Sequence, residues 1–158
     1  MGIVVRAATD EDAQLIAELT RVCWAGKVAE SSSGHVESAQ RVQDDLRCGG
    51  GFVLLQDECP VGTVRYSPLD DEPDVWEISR MGVLPAWRGA SLSQYLLEAV
   101  IHEAQASGVD ELRLAVRSDQ RKLIDFYAAF AFELAEELEY SHANPHEPPP
   151  WVMRRVLR

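Results

Sequence analysis

Hydrophobic and polar positions along the chain follow two alternating periods. Residues 3–8 (IVVRAA) are apolar, partly β-branched and bounded by polar residues, which predicts a strand. Thr9 and Asp12 then fit a capping box, in which side-chain oxygens satisfy the free backbone N–H groups of a helix start. Beyond it Leu15, Ile16, Leu19, Val22 and Cys23 recur at helical spacing and define a first amphipathic helix. The small, polar stretch AGKVAESSSGH (residues 25–35) reads as a loop. A second helix follows with Val36, Ala39, Val42 and Leu46 on one face. Gly49, Gly50 and Gly51 end it; no Gly-Lys-Ser/Thr sequel follows, so they act as punctuation and not as a phosphate loop.

The second half changes period. GFVLLQD and PVGTVRYSPL predict two strands joined by a short turn at Glu58 and Cys59. The acidic DDEPD (70–74) forms a further turn, and VWEISRMGVL (75–84) a longer strand. From Ala90 to Gly108 runs the longest helix, with Leu97, Val100, Ile101 and Ala104 toward the core and Gly108 as its stop. ELRLAVRS alternates cleanly, with Leu112, Leu114 and Val116 on one face and Arg113, Ala115 and Arg117 on the other. Leu123, Ile124, Tyr127, Phe130 and Ala131 define another helix face. Phe132, Leu134, Leu138 and Tyr140 alternate with acidic residues as a strand, and WVMRRVL after Pro148–Pro150 makes the last one. Seven strands and four helices in one domain, residues 1–158, predict a mixed α/β (α+β) architecture around one mixed sheet.

Composition narrows the function classes. With 46% hydrophobic and 26% charged residues the chain can bury an ordinary core. No apolar run reaches the roughly 18 residues of a membrane span, and the first residues lack the order of a signal peptide. A cytoplasmic protein without membrane contact is expected. The net charge of −11 repels a polyanion, so nucleic acid is not an expected partner. Cys23, Cys48 and Cys59 are odd in number and lack CxxC spacing, which indicates neither a disulfide framework nor a zinc site. His142 and His146 stand four apart, but Pro145 between them breaks the helix that would pair them on a metal, and no metal is expected.

Chemistry concentrates in MGVLPAWRGASLSQYLLEAV, where a strand ends in proline and a turn opens the longest helix. A helix N-terminus presents unpaired N–H groups and the positive end of its dipole, suited to a phosphate. Arg88, Gly89, Ala90, Ser91 and Ser93 supply a cation, small side chains and two hydroxyls there. A plain strand-to-helix turn with a solvated arginine explains the same residues.

The stretch resembles the acetyl-CoA motif of the GNAT superfamily of N-acetyltransferases, V-x-P-x-x-R-G-x-G-x-G/A. Val83, Pro85, Arg88 and Gly89 match it, while Ser91 and Ser93 stand where the motif has small or glycine residues. Downstream, QRKLIDFYAAFAF is similar to the family's N-x-x-A-x-x-x-Y-x-x-x-G-F. Tyr127 and Phe132 match, with Gln120, Leu123 and Ala131 in place of asparagine, alanine and glycine. The resemblance implies a GNAT-like fold and transfer of an acetyl group from acetyl-CoA, as co-substrate, to a primary amine on a small molecule or peptide. It places the cofactor against Met81, Gly82, Val83, Arg88, Gly89, Ala90, Ser91, Leu92 and Ser93. Main-chain groups of Met81–Val83 would hold the pantetheine arm and offer an oxyanion site.

It also implies Tyr127 as the proton donor to the departing thiolate; core packing beside Leu123 and Ile124 is the other reading. Glu77, on the strand before the loop, becomes the candidate base, with a surface carboxylate or a salt bridge to Arg80 or Arg65 as the alternative. Strict alternation puts Glu77 on one side with Ser79, Met81 and Val83, unless the bulge usual in the family at this strand shifts that parity. Ser118 either contacts the cofactor or caps the next helix, and capping is the expectation. Tyr140, His142 and Asn144 stand near the acceptor side. Homodimers are common in the family, with the strands after Phe132 as the expected edge. A GNAT-like module that binds acyl-CoA without catalysis is the rival reading.

Overall fold

The computed structural model describes residues 2–25, 37–88, 91–140, 145–146 and 148–157. Val36 and most of the expected 25–35 loop lie outside these, as do Gly89, Ala90, His142 and Asn144.

The first strand, β1 (Ile3–Ala7), leads into a 3₁₀ turn at Asp10–Asp12 and helix α1 (Ala13–Trp24). The capping box forms as expected: Asp12 accepts from the Thr9 backbone N–H at 2.8 Å and from both Arg6 guanidinium nitrogens at 2.8 Å. Helix α2 (Ala39–Cys48) is capped by the Ser38 hydroxyl, which accepts from the Arg41 N–H. Strands β2 (Gly50–Gln56), β3 (Cys59–Pro68) and β4 (Val75–Val83) then form a meander. Helix α3 (Ser93–Ala106) follows and stops at Gly108, whose φ of 75° is the left-handed geometry of a helix C-terminus. Strand β5 (Glu111–Val116), helix α4 (Lys122–Ala128), β6 (Glu133–Leu134) and β7 (Trp151–Val156) complete the chain.

The strands make one seven-stranded sheet in the order β1-β2-β3-β4-β5-β7-β6. Every pair is antiparallel except β4 and β5, which are parallel. On β2, Val53 packs with Ala13, Ile16, Ala17, Val42 and Leu46 of α1 and α2, whereas its neighbour Leu54 belongs to the larger core under α3. Period-two alternation thus gives the sheet two covered faces. Leu97, Val100, Ile101 and Ala104 of α3 are buried as expected, and so are Leu112, Leu114 and Val116 of β5. No helix among the described residues is long and apolar enough to cross a membrane.

One predicted element is much shorter than expected. The strand foreseen from Phe132 to Tyr140 pairs with β7 only at Glu133 and Leu134. Leu134 is exposed while Ala135 is buried, and the Leu138 N–H turns back to the Ala135 carbonyl. Alternating sequence without a partner strand does not sustain a ladder.

Candidate active site

Two irregularities of the sheet build the site. The first is a bulge in β4. Ser79 opposes Arg65 and Gly82 opposes Thr63, so three steps on β4 face two on β3. Arg80 lies inside it at φ 53°, in the left-handed region. The inserted residue reverses the side-chain parity: Val83 joins Ile78 in the core under α3, five residues on. Strict alternation would have placed Glu77 and Val83 together; the bulge separates them. The second irregularity is the end of the β4–β5 ladder. It runs from Val75↔Glu111 to Glu77↔Arg113 and stops, while β5 continues to pair with β7 as far as Val116. Beyond Glu77 the two parallel strands therefore diverge, and β4 groups that point toward β5 face open space.

That space is a cavity of about 1550 Å³. Glu77, Met81, Gly82, Val83, Arg88, Ser91, Leu92, Ser93, Ser118 and Tyr127 all line it, so every described residue of the sequence-predicted site converges on one place. Gly89 and Ala90 lie outside the described residues. At Gly82 a Cβ would come within 3.0 Å of the Trp24 ring and 3.1 Å of Cys23, so β4 lies flush against the end of α1. Arg88 braces this junction: its Nε donates to the Val83 carbonyl at 3.2 Å and an Nη to the Cys23 carbonyl at 2.7 Å. Leu92 plugs into the core, and Ser93 begins α3.

The two candidate proton carriers sit in different surroundings. Tyr127 is only 8% exposed, edge-on to Phe126 at 5.1 Å and to Phe132 at 6.0 Å. Burial pushes its phenol up to about 12. Tyr127 thus packs in the core and also borders the cavity. Glu77 is 6% exposed and stands close enough to Tyr140 for its charge to act there. Burial first, and then Glu77, push the Tyr140 phenol up to about 12. Arg65 and Arg80, considered from sequence as partners for Glu77, both bind Glu37, at 2.5 and 3.0 Å.

Ser118 lines the cavity but does not cap α4, which starts at Lys122 with Arg121 in the cap position. The expected capping role is thus replaced by a cavity position. Sequence reasoning also missed the cluster beside β4 in which the buried Glu37 and Arg65 pair and Arg65 reaches on to the partly exposed Asp45. Its one signal was Arg65, a lone charge inside the apolar run of PVGTVRYSPL. Lys122 and Arg117 border the cavity as further cations, Arg117 facing Asp119 at 3.4 Å. Among the described residues, no group of three His, Cys, Asp or Glu side chains converges as metal ligands would.

A sequence model of the Acetyltransferase (GNAT) family matches residues 14–132. The chain belongs to the GNAT acetyltransferase family. It is 30% identical over 132 residues to an IAA acetyltransferase of Azospirillum brasilense, covering 82% of each chain. It is 28% identical over 140 residues to a mycothiol acetyltransferase of Kytococcus sedentarius, covering 85% of this chain and 46% of that one. The chain thus spans about half the length of the mycothiol acetyltransferases it matches. Among solved structures, the PaiA N-acetyltransferase of Thermoplasma acidophilum in complex with coenzyme A superposes with a TM-score of 0.78 at 17% identity over 99% of both chains. A probable acetyltransferase of Staphylococcus epidermidis reaches 0.80 at 13% identity, over 99% of this chain and 100% of that one. These neighbours share the GNAT fold. Two glycine positions of the GNAT motifs carry side chains here, and both are left-handed: Ser91 at φ 58° and Ala131 at φ 67°. The family pattern therefore has a backbone cause at both places.

Proposed function

We propose that the chain, as one acetyltransferase domain, transfers an acetyl group from acetyl-CoA to the primary amine of an acceptor. The observation that carries this reading is the splayed β4–β5 opening, with the β4 main chain, Glu77 and Tyr127 on one cavity. Residues Met81–Val83, flush against α1, suit a narrow pantetheine arm, and Arg88, Ser91, Ser93 and Ser118 suit its phosphate end. A neighbour of the same fold is solved in complex with coenzyme A, which supports coenzyme A as the ligand. Relatives named for mycothiol and IAA support a small-molecule acceptor.

Bound acetyl-CoA supplies an acyl group activated as a thioester. The chain's own residues do the rest. An amine attacks only when neutral, so Glu77 accepts its proton, directly or through water. Backbone N–H groups along the open side of β4 stabilise the negative charge that builds on the acyl oxygen. Tyr127, held protonated by burial, donates to the departing sulfur. The free thiols of Cys48 and Cys59 suit a reducing compartment and a cytoplasmic enzyme. Exposed Leu134, Trp151 and Val156 at the β6–β7 end of the sheet offer the surface for a homodimer, which light scattering would detect.

Acetyl-CoA-dependent thiol release against a panel of amines, beside a CoA thermal-shift series, tests the reading. Release with one amine class establishes the activity and its acceptor chemistry. A thermal shift without release from any amine favours a non-catalytic acyl-CoA-binding module. Absence of both removes the reading.

A further inference from the structure

We infer that Glu37 is a positioning residue that staples the β4 bulge in place by holding Arg80 on one side and Arg65 on the other. Its consequence for turnover rests on the acetyltransferase reading; the staple itself does not.

The bulge needs holding. Arg80 has φ 53°, where a Cβ meets the neighbouring carbonyl and only glycine is at ease. The bulge also decides the site, because it sets Glu77 and Val83 on opposite sides of β4, within the stretch 77–83 that lines the cavity. Glu37 Oε1 accepts from Arg80 Nε at 3.0 Å and from Arg65 Nη2 at 2.5 Å. Arg65 is the β3 residue opposite Ser79, where the register slips. One carboxylate oxygen thus bridges the two strands across their irregular pairing.

The staple is anchored from behind. The side chains of Glu37 and Arg65 are each 1% exposed. Arg65 also reaches Asp45 of α2 at 2.9 Å and the Thr20 hydroxyl of α1 at 3.3 Å. Arg21 of α1 donates to the Glu37 carbonyl at 2.5 Å. Burial alone would raise the Glu37 carboxyl, yet Arg65 and Arg80 together hold it below the usual carboxylate range. Buried ion pairs add little net stability over apolar packing, but they impose one geometry. Here that geometry is the turn of β4 beside the reacting groups.

Glu37→Gln strips Arg65 of a buried partner and threatens the fold itself, so Arg80 carries the test. Arg80→Ala removes the tie but keeps a Cβ at positive φ; Arg80→Gly removes the tie and the need for it. Hydrogen exchange of the amides of residues 78–83 is measured for both, with and without CoA, beside kcat and KM for acetyl-CoA on any amine that responds. Arg80→Ala is expected to exchange about tenfold faster there and to lose about tenfold in kcat, with a smaller change in KM. Arg80→Gly is expected to return both to within about threefold of the parent. Equal exchange and equal turnover in the two variants overturn the staple, as does parental exchange in both. Should the parent protein acetylate no amine, the exchange comparison still decides the staple, while the acetyltransferase reading fails by its own assay.

Discussion

The guanidinium of Arg88 donates to the backbone carbonyl of Cys23 at 2.7 Å, across 65 residues of sequence. Cys23 lies in the last turn of α1, where carbonyls lack helical partners, so Arg88 both caps α1 and ties it to the turn before α3. Arg88→Ala should cost roughly 2 kcal/mol, as a charged hydrogen bond to a partly buried carbonyl does. Lysine should recover only part, since it lacks the fork that reaches Val83 as well. Thermal unfolding with and without CoA separates the two roles. Lower stability with an undiminished CoA shift would leave Arg88 as a brace alone.

Ser91 and Ala131 make a second, opposite prediction. Both hold a Cβ at positive φ, a conformation costing roughly 1 kcal/mol for a residue other than glycine. Ser91→Gly and Ala131→Gly should therefore each raise the melting temperature by about 2–4 °C, less what glycine adds to unfolded-chain entropy. A fall at either position would mean that its side chain makes contacts that outweigh the strain.

Most of the architecture was legible because its cause is local. The Thr9–Asp12 capping box, the stop at Gly108 and the alternation of Leu112, Leu114 and Val116 are all short-range and all form. What escaped was set by partners distant in sequence. The strand beyond Leu134 failed because β7 offers it only two register positions. The face of Glu77 relative to Val83 depended on one inserted residue, which periodicity does not register and only the family resemblance anticipated. Glu37 was invisible because its importance lies in two arginines 28 and 43 residues away. Ser118 was read as a cap because a serine before a helix commonly is one; the turn from Arg117 to Gln120 moved the helix start beyond it.

Asp12 predicts how the protein meets acid. Two hydrogen bonds from Arg6, with the Thr9 N–H, lower its carboxyl from 3.8 to about 2. A depressed folded value means stability present above about pH 4 and lost as pH falls toward 2. With Asp12 only 12% exposed, the contribution is roughly 2 kcal/mol. Asp12→Ala should lose that much at neutral pH and show a correspondingly shallower acid transition in circular dichroism. Identical acid transitions in both proteins would remove Asp12 from the account.

Glu77 predicts a difference that depends on the acceptor's charge. A base is needed only while the amine arrives as an ammonium, so Glu77→Gln should depress turnover most at low pH. The gap should then narrow as pH approaches the amine's own pKa of about 10. Rates measured from pH 6 to 10 with one responding amine read this directly. A constant ratio between the two enzymes across that range would exclude Glu77 as the proton acceptor and leave its burial beside Tyr140 a matter of packing.

Tyr127 joins stability and chemistry in one side chain. Its phenol is raised from 10.0 to about 12 by burial, so the neutral form is favoured in the folded state. For a raised value the stabilisation is complete below pH 10 and is lost as pH climbs to about 12, amounting to roughly 3 kcal/mol. Tyr127→Phe keeps the ring contacts with Phe126 and Phe132 but removes the titrating proton. The variant should hold its melting temperature better than the parent above pH 10. It should also lose about 10²-fold in kcat while its CoA-induced shift stays the same, because only the departing sulfur needs the proton. The parent's own rate should show no alkaline decline from this group below pH 10. Unchanged turnover in Tyr127→Phe, with the alkaline difference present, would confine Tyr127 to the core and pass the role of acid to another donor on the cavity wall.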